Sequence, residues 1–279
     1  MQIFVYDKTF EGLLAVVFDA FTMKVFPTEL YGPDDILPLT ATGVHNVLVT
    51  PEKPRRVFTA LQKKLSTEAL RSMLYTWLSE IPGSDLSLYG YICKTLRAKR
   101  SIEGDMADPD VWEVVHLSRK VGKEVERYLG FLRFQKSKEG VYFTSFAPKY
   151  NVIPMLSPLL AERFHDQQWI LYDLARHYGV MFKPGVSKTL PSGGGGFEEV
   201  FLDERRLDGG FLREEFLDEG EMLLEEMWRG YIDTAAIKER ANPRLQMNFM
   251  PKRFWEHLTE KRAEKSRAPR GGPIGADLL

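Results

Sequence analysis

The spacing of apolar residues in this chain changes once, near residue 130, and that change restricts the fold more than any other feature. A 3.6-residue period builds one face of a helix, whereas a two-residue period builds one face of a strand. Up to residue 130 the spacing is mostly helical. Phe10, Leu13, Leu14, Val17, Phe18 and Phe21 form one stripe behind Thr9, whose hydroxyl suits an N-cap. Val57, Leu61 and Leu65 mark a second helix. Ser66 caps a third, with Leu70, Met73, Leu74, Trp77 and Leu78 on its buried face and Pro82-Gly83 as its stop. A fourth runs from about 86 to 98. The longest opens at Asp108-Pro109, because proline at the first helical position sacrifices no hydrogen bond. Val111, Val114, Val115, Ser118, Val121, Val125 and Leu129 share its face, and Gly130 is the expected stop.

Strands are expected at 2–6 and 45–50. After the change of period they follow at 131–135 and 141–146, joined by a turn around Lys138-Glu139-Gly140. Ser157-Pro158 opens a short helix to about Phe164, and 169–174 and 178–183 read as a second pair of strands. A strand at 199–202, a helix through Leu223, Leu224 and Met227, and a last helix opened by Pro251 complete the order. Helices, then strands, then helices predict an α+β fold, not regular βαβ alternation. The expected architecture is a helical N-terminal part packed on a mostly antiparallel sheet, with further C-terminal helices. One domain is expected over 1–260, with lobes at 1–129 and 130–260 and a flexible acidic insertion near 185–220. Residues 192–196 (SGGGG) read as a flexible joint, and the Arg-, Lys-, Gly- and Pro-rich tail 261–279 as disordered.

Composition narrows the class. Cys93 is the only cysteine, so an internal disulfide framework, an iron–sulfur cluster or a cysteine-rich zinc site built by this chain alone is excluded. No apolar run approaches the ~20 residues that cross a bilayer, and the first seven residues read as a strand, not an export signal. A cytoplasmic protein without membrane attachment is the expectation. The net charge of −1 conceals a separation: residues 198–226 hold twelve acids against three arginines, leaving 35 Lys and Arg against 27 Asp and Glu elsewhere. Lys94, Arg97, Lys99 and Arg100 form one basic cluster. Arg119, Lys120, Lys123, Arg127, Arg133, Lys136 and Lys138 form another, diluted by Glu124 and Glu126. A basic body attracts polyanions, although solvated helix faces show the same pattern.

No complete catalytic motif is present. In a phosphate loop, lysine and threonine follow the glycines, whereas Lys188 and Thr189 precede them here. The five histidines form no metal-binding pair at helical spacing, and no metal site or cofactor is evident. His165-Asp166 is the one adjacent histidine–carboxylate pair, which suits a general base and its orienting acid or a surface role. Cys93 has no nucleophile signature around it and reads as a small core residue.

Two segments carry unusual polar content. In 130–135 (GFLRFQ), Arg133 and Gln135 would share one face of a strand whose Leu132 and Phe134 face the core, with Phe131 available to stack on a base. In 245–258, Pro251 would place Lys252 and Arg253 in a helix's first turn, where the backbone is already partly positive. Nearby acids or a bound anion would offset that, with Trp255 beside them to pack or to stack.

GFLRFQ, NVIPMLSPLLAERFHDQQWILYD and LQMNFMPKRFWEHLTEK, preceded by YDKTFEGLLAVVFDAF near the start, together resemble a bacterial family described as DNA metabolism or DNA repair proteins. The resemblance runs from Met1 to about Lys261 and is least in the acidic stretch and the tail. In that family the domain has an unknown-function label and occurs alone, beside a DNA-modifying radical-SAM protein, or fused to a uracil-DNA-glycosylase-like domain. The resemblance implies a DNA-linked protein with such partners, but no active site to carry over. The positions matching its polar motif residues are Arg133, Gln135, Asn151, Arg163, Asp166, Gln167, Asp173, Arg240, Gln246, Lys252 and Arg253. With Trp255, the basic and amide positions among them are the nucleic-acid candidates. Asp166, Asp173 and His165 are the catalytic ones, and a salt bridge to Arg163 is the competing role for the acids. Three functions stay open: nucleic-acid binding with a radical-SAM or glycosylase-like partner, a DNA- or nucleobase-acting hydrolase, and a protein–protein scaffold.

Overall fold

The computed structural model describes residues 2–185, 196–237, 240 and 242–261. The fold is mixed α+β, in two compact units: 1–124 with 149–151, and 125–148 with 152–279. The disordered tail and the glycine joint expected above lie, except for Gly196 and Lys261, outside the described residues. No helix among the described residues is long and apolar enough to cross a membrane.

In the first unit, strand β1 (Gln2–Val5) lies between β2 (Glu29–Tyr31) and β3 (Gly43–Asn46), parallel to both. Ile3 and Phe4 are both fully buried, so both faces of β1 are covered. The N-terminal part is therefore not purely helical. Strand β2 was not expected, since three residues are too few to show an alternation. Helix α1 (Phe10–Met23) is capped by Thr9, whose hydroxyl accepts from the Gly12 N–H at 2.9 Å. Helices α2 (Glu52–Gln62) and α3 (Thr67–Leu78) follow, and Ser66 caps α3 through the Ala69 N–H at 3.1 Å. Helix α3 ends before Pro82-Gly83. Gly83, at φ 84°, instead opens α4 (Ser84–Arg97).

Helix α5 (Pro109–Phe131) begins at the expected cap. Asp108 Oδ1 accepts from the N–H groups of Asp110 at 2.9 Å and Val111 at 3.3 Å. Lys94 of α4 binds the same carboxylate at 2.6 Å and Asp110 at 2.8 Å. Gly90 permits this approach, since a Cβ there would stand 2.1 Å from Asp110 Oδ2. Burial pushes the Asp108 carboxyl up, but the bonds from Lys94, Val111 and Asp110 outweigh it and hold the carboxyl below its ordinary value.

The expected strand at 131–135 is corrected by the structure. Helix α5 does not stop at Gly130: Phe131 is its last residue, and the Leu132 N–H still donates to the Tyr128 carbonyl at 2.9 Å. Only Gln135–Lys136 pairs, as β4. The sheet of the second unit runs β4, β5 (Tyr142–Phe146), β6 (Trp169–Asp173), β7 (Tyr178–Lys183), β8 (Gly196–Val200). All neighbours are antiparallel except β5 and β6, which α6 (Ile153–Arg163) joins as one parallel crossover. Helix α6 starts four residues before Ser157, because Ile153 and Leu156 bury on the same side as Leu160 and Ala161.

Register assigns the two sheet faces. Tyr142, Trp169, Phe182 and Phe197 align on one, with the Trp169 and Phe182 rings stacked 5.2 Å apart. Phe143, Ile170 and Met181 align on the other. The acidic stretch packs on this second face. Its hairpin of β9 (Leu207–Asp208) and β10 (Phe211–Leu212) and its residues Leu202 and Leu217 join a core cluster with Phe143, Ile170 and Tyr172. Helices α7 (Glu221–Ala235) and α8 (Pro243–Phe249) follow. Pro251 does not open an α-helix; residues Lys252–His257 form a 3-10 helix.

Removing the cap and ion pair together tests the α4–α5 junction. Asp108→Ala should lower stability at pH 7 by about 1–2 kcal/mol, read by urea unfolding. The folded carboxyl titrates below its ordinary value of 3.8, so its contribution is present above that pH and is lost as pH falls through the lower value. The difference between variant and parent should therefore shrink below about pH 4.

Candidate functional site

Several of the residues expected to hold nucleic acid in the second unit, Arg133 and Gln135 first, are committed to the protein itself. Arg133 grips Glu260 with two bonds, at 2.8 and 3.3 Å, and donates at 3.2 Å to the carbonyls of Gly130 and Leu132 that end α5. Its guanidinium also lies 5.7 Å from the Trp228 ring centre. Gln135 does not face solvent. It is 1 % exposed, donates to Glu225 at 2.6 Å and accepts from the Leu212 N–H at 2.9 Å. Trp255 is half-buried, with its ring N–H on the Met250 carbonyl and Lys261 over its face. Phe131 meets the Phe254 ring edge-on. The anion reading for Lys252 and Arg253 fails with the helix it assumed: a six-residue 3-10 stretch supplies no long column of aligned dipoles. Arg253 lies over Phe254. Arg163, Arg240, Gln246 and Lys252 are exposed at separate points of α6, α8 and the segments beside them, and Gln167 is half-buried before β6. Asn151, in the first unit, donates to Glu80 at 3.2 Å.

The candidate catalytic residues do not converge either. His165 and Asp166 are exposed in the turn before β6, and Asp173 is fully buried at the far end of that strand, about 13 Å along it. The carboxylate of Asp173 closes the β6–β7 turn, accepting from the N–H groups of Ala175 and Arg176 and from the Arg176 guanidinium at 2.9 Å. Burial raises its pKa, and these donors offset that only in part. Its ion-pair partner is Arg176, not Arg163. Among the described residues no group of three or more His, Cys, Asp or Glu is placed to hold a metal ion. Cys93 is buried, and burial pushes its thiol up to about 11. Local patterns along the chain do not signal the contact between His177 and Glu204 at 2.7 Å, with Tyr172 on the same oxygen at 3.0 Å, because these residues are distant in sequence.

Among the described residues, the second unit holds an apolar hollow of about 310 Å³. Its walls include Phe143, Ile170 and Met181 from the sheet and Leu202, Leu212 and Phe216 from the covering segment.

Cationic groups also gather around one pocket of the first unit. A pocket of about 240 Å³ is lined by Lys63 and Lys64 just beyond α2, by Thr95 on the last turn of α4, and by residues 98–102, including Lys99 and Arg100. The basic cluster read from the sequence is divided here. Lys94 is taken by Asp108 and Asp110, and Arg97 lies 3.8 Å from the Phe26 ring centre. Lys99 and Arg100 remain exposed and, like Lys63, pair with no acid among the described residues. Lys64 is occupied within the fold, since its ammonium donates to the carbonyls of Thr95 at 3.2 Å, Leu96 at 2.8 Å and Ala98 at 2.8 Å. It thus covers the negative end of α4. Glu103, the nearest acid along the chain, accepts from the Ser66 N–H at 2.8 Å and hydroxyl at 2.7 Å. Thr95 is 4 % exposed and its hydroxyl is closed off from solvent; burial raises the Tyr91 phenol, and the Thr95 side chain beside it works against that rise.

Residues 82–260 match the family described as a domain of unknown function, DUF4130, and the chain belongs to that family. The matched span includes Thr95, Lys99 and Arg100 but begins after Lys63 and Lys64. No curated protein matches. Among solved structures the chain is similar to one titled "pGpG-specific phosphodiesterase - PggH from Vibrio cholrae", with a TM-score of 0.35 and 11 % identity over 84 % of this chain and 99 % of that one. A likeness at that level says nothing about what this chain does.

If Arg133 is structural, Arg133→Ala and Glu260→Ala should each cost about 3 kcal/mol, because each strands a mostly buried charge. The double variant should cost clearly less than the sum in denaturant unfolding, and the affinity of Arg133→Ala for a labelled oligonucleotide should equal the parent's.

Proposed function

We propose that this protein binds nucleic acid through the cationic pocket of its first unit, as a DNA metabolism or repair protein. One observation carries the reading: Lys63, Lys99 and Arg100 line one pocket and pair with no acid among the described residues. Cations that pair with an acid or cover a helix end, such as Lys94 and Lys64, are spent within the fold. The end of α4 is already met by Lys64, and the end of α2 offers only about half a charge. Two or more positive charges are left for a ligand. Exposed Arg119, Lys120 and Lys123 on α5 add to the field of the same unit. The sequence resemblance to DNA metabolism proteins supports the same reading. No pairing of His165, Asp166 and Asp173 favours the hydrolase.

A second reading concerns the protein partner, for which the resemblance suggests a radical-SAM or uracil-DNA-glycosylase-like protein. It rests on α7, which leaves Met222, Leu223, Leu224, Met227 and Tyr231 exposed among acidic neighbours. A pull-down of such a partner that persists after nuclease treatment would support it.

Fluorescence anisotropy with labelled single-stranded and duplex oligonucleotides tests the first reading. Three phosphate contacts predict a loss of affinity of about 20- to 40-fold between roughly 50 and 200 mM salt. Lys63→Ala/Lys99→Ala/Arg100→Ala should weaken binding and flatten that dependence. A variant that binds as the parent does, with an unchanged salt slope, would refute the assignment.

A further inference from the structure

Resting on the protein-partner reading above, we infer that α7 is the docking face for a basic amphipathic helix of another protein, laid along Leu224, Met227, Trp228 and Tyr231. A helix on a globular core ordinarily turns its apolar stripe inward and its charges out. Helix α7 does the reverse. Its one buried residue is Glu221, whose carboxyl accepts from the Lys136 N–H. Half-buried Glu225 accepts from the Gln135 amide at 2.6 Å, and the Arg229 guanidinium donates to the Glu225 carbonyl at 3.2 Å. The inward side of the helix therefore carries charges. Leu224, Met227, Trp228 and Tyr231, spaced i, i+3, i+4 and i+7, form a single stripe, and each is at least 40 % exposed. The Trp228 and Tyr231 rings are stacked 5.7 Å apart, and the Arg133 guanidinium lies against Trp228. Side chains ordered in this way lose little freedom when a partner covers them.

Charge selects the occupant. Residues 219–233 hold five acids, Glu219, Glu221, Glu225, Glu226 and Asp233, against Arg229 alone. Glu219, Glu226 and Asp233 are exposed. A second copy of this face would set acid against acid, and a phosphate backbone would be repelled. A helix with apolar residues at the same period and Lys or Arg on its flanks meets both the stripe and the acids. Met227, unbranched and polarisable, adapts to such a contact.

The test uses the full chain and labelled peptides about as long as α7, read by anisotropy. One carries leucines at helical spacing with lysines elsewhere, a second has glutamates for the lysines, and a third scrambles the leucine–lysine composition. The first should bind about tenfold or more tightly than the others. Met227→Glu should remove that binding and, because the side chain is exposed, melt like the parent. Glu219→Lys/Glu226→Lys/Asp233→Lys should turn the preference to the glutamate peptide. Equal binding of the scrambled peptide, or a preference that the triple variant leaves unchanged, would overturn the inference. So would a dimer in sedimentation that Met227→Glu dissociates, with a second copy as the occupant. Binding that appears only when residues 262–279 are removed would overturn it too, with the chain's own tail as the occupant. Capture of the radical-SAM or glycosylase-like protein by Met227→Glu as strongly as by the parent would overturn it while leaving the partner reading intact. Binding of no peptide and no partner would overturn both.

Discussion

In the second unit, much depends on where one guanidinium points. Arg133 follows the last turn of α5 and turns back on it, covering the carbonyls of Gly130 and Leu132 while holding Glu260 near the end of the described chain. Trp228 of α7 lies under the same group. A helix end, a later helix and a C-terminal segment are thereby fixed by a side chain whose planar donors reach several directions at once. Gln135, two residues on, repeats the arrangement without charge. It links β4 to Glu225 of α7 and to the backbone of β10, which pulls the acidic stretch onto the sheet. The polar residues that made GFLRFQ stand out are there because a buried junction must satisfy its donors and acceptors.

What the sequence disclosed and what it withheld divide along the same line. The starts of α1, α3 and α5 were legible, because Thr9, Ser66 and Asp108 cap through bonds three residues long. The end of α5 was not, since alternation of Phe131, Arg133 and Gln135 fits a strand as well as a helix finished by a tertiary clamp. Strand β2 gave no pattern in three residues, and its pairing with β1 is a long-range event. Much the same holds for the pocket. Lys99 and Arg100 drew notice as part of a basic run, yet nothing local separates them from Lys94, which a cap consumes. Lys63 and Lys64 reach the same place from about thirty residues away.

Electrostatics in the first unit follows an order of claims. Helix ends and caps have the first claim on lysine: Lys94 serves the start of α5 and Lys64 the end of α4. Only what remains is free to act on something outside the chain. Counting charges along a sequence therefore overstates a binding surface, and near-neutral totals understate it. The acids of 198–226 belong to the other unit.

The burial of Cys93 has a practical corollary. With the chain's single thiol sealed between aromatic and aliphatic neighbours and slow to ionise, its surface offers no native thiol to alkylating reagents. A cysteine introduced anywhere outside would be chemically unique. Dyes, spin labels and crosslinkers can thus be addressed to one chosen position without first removing a native thiol.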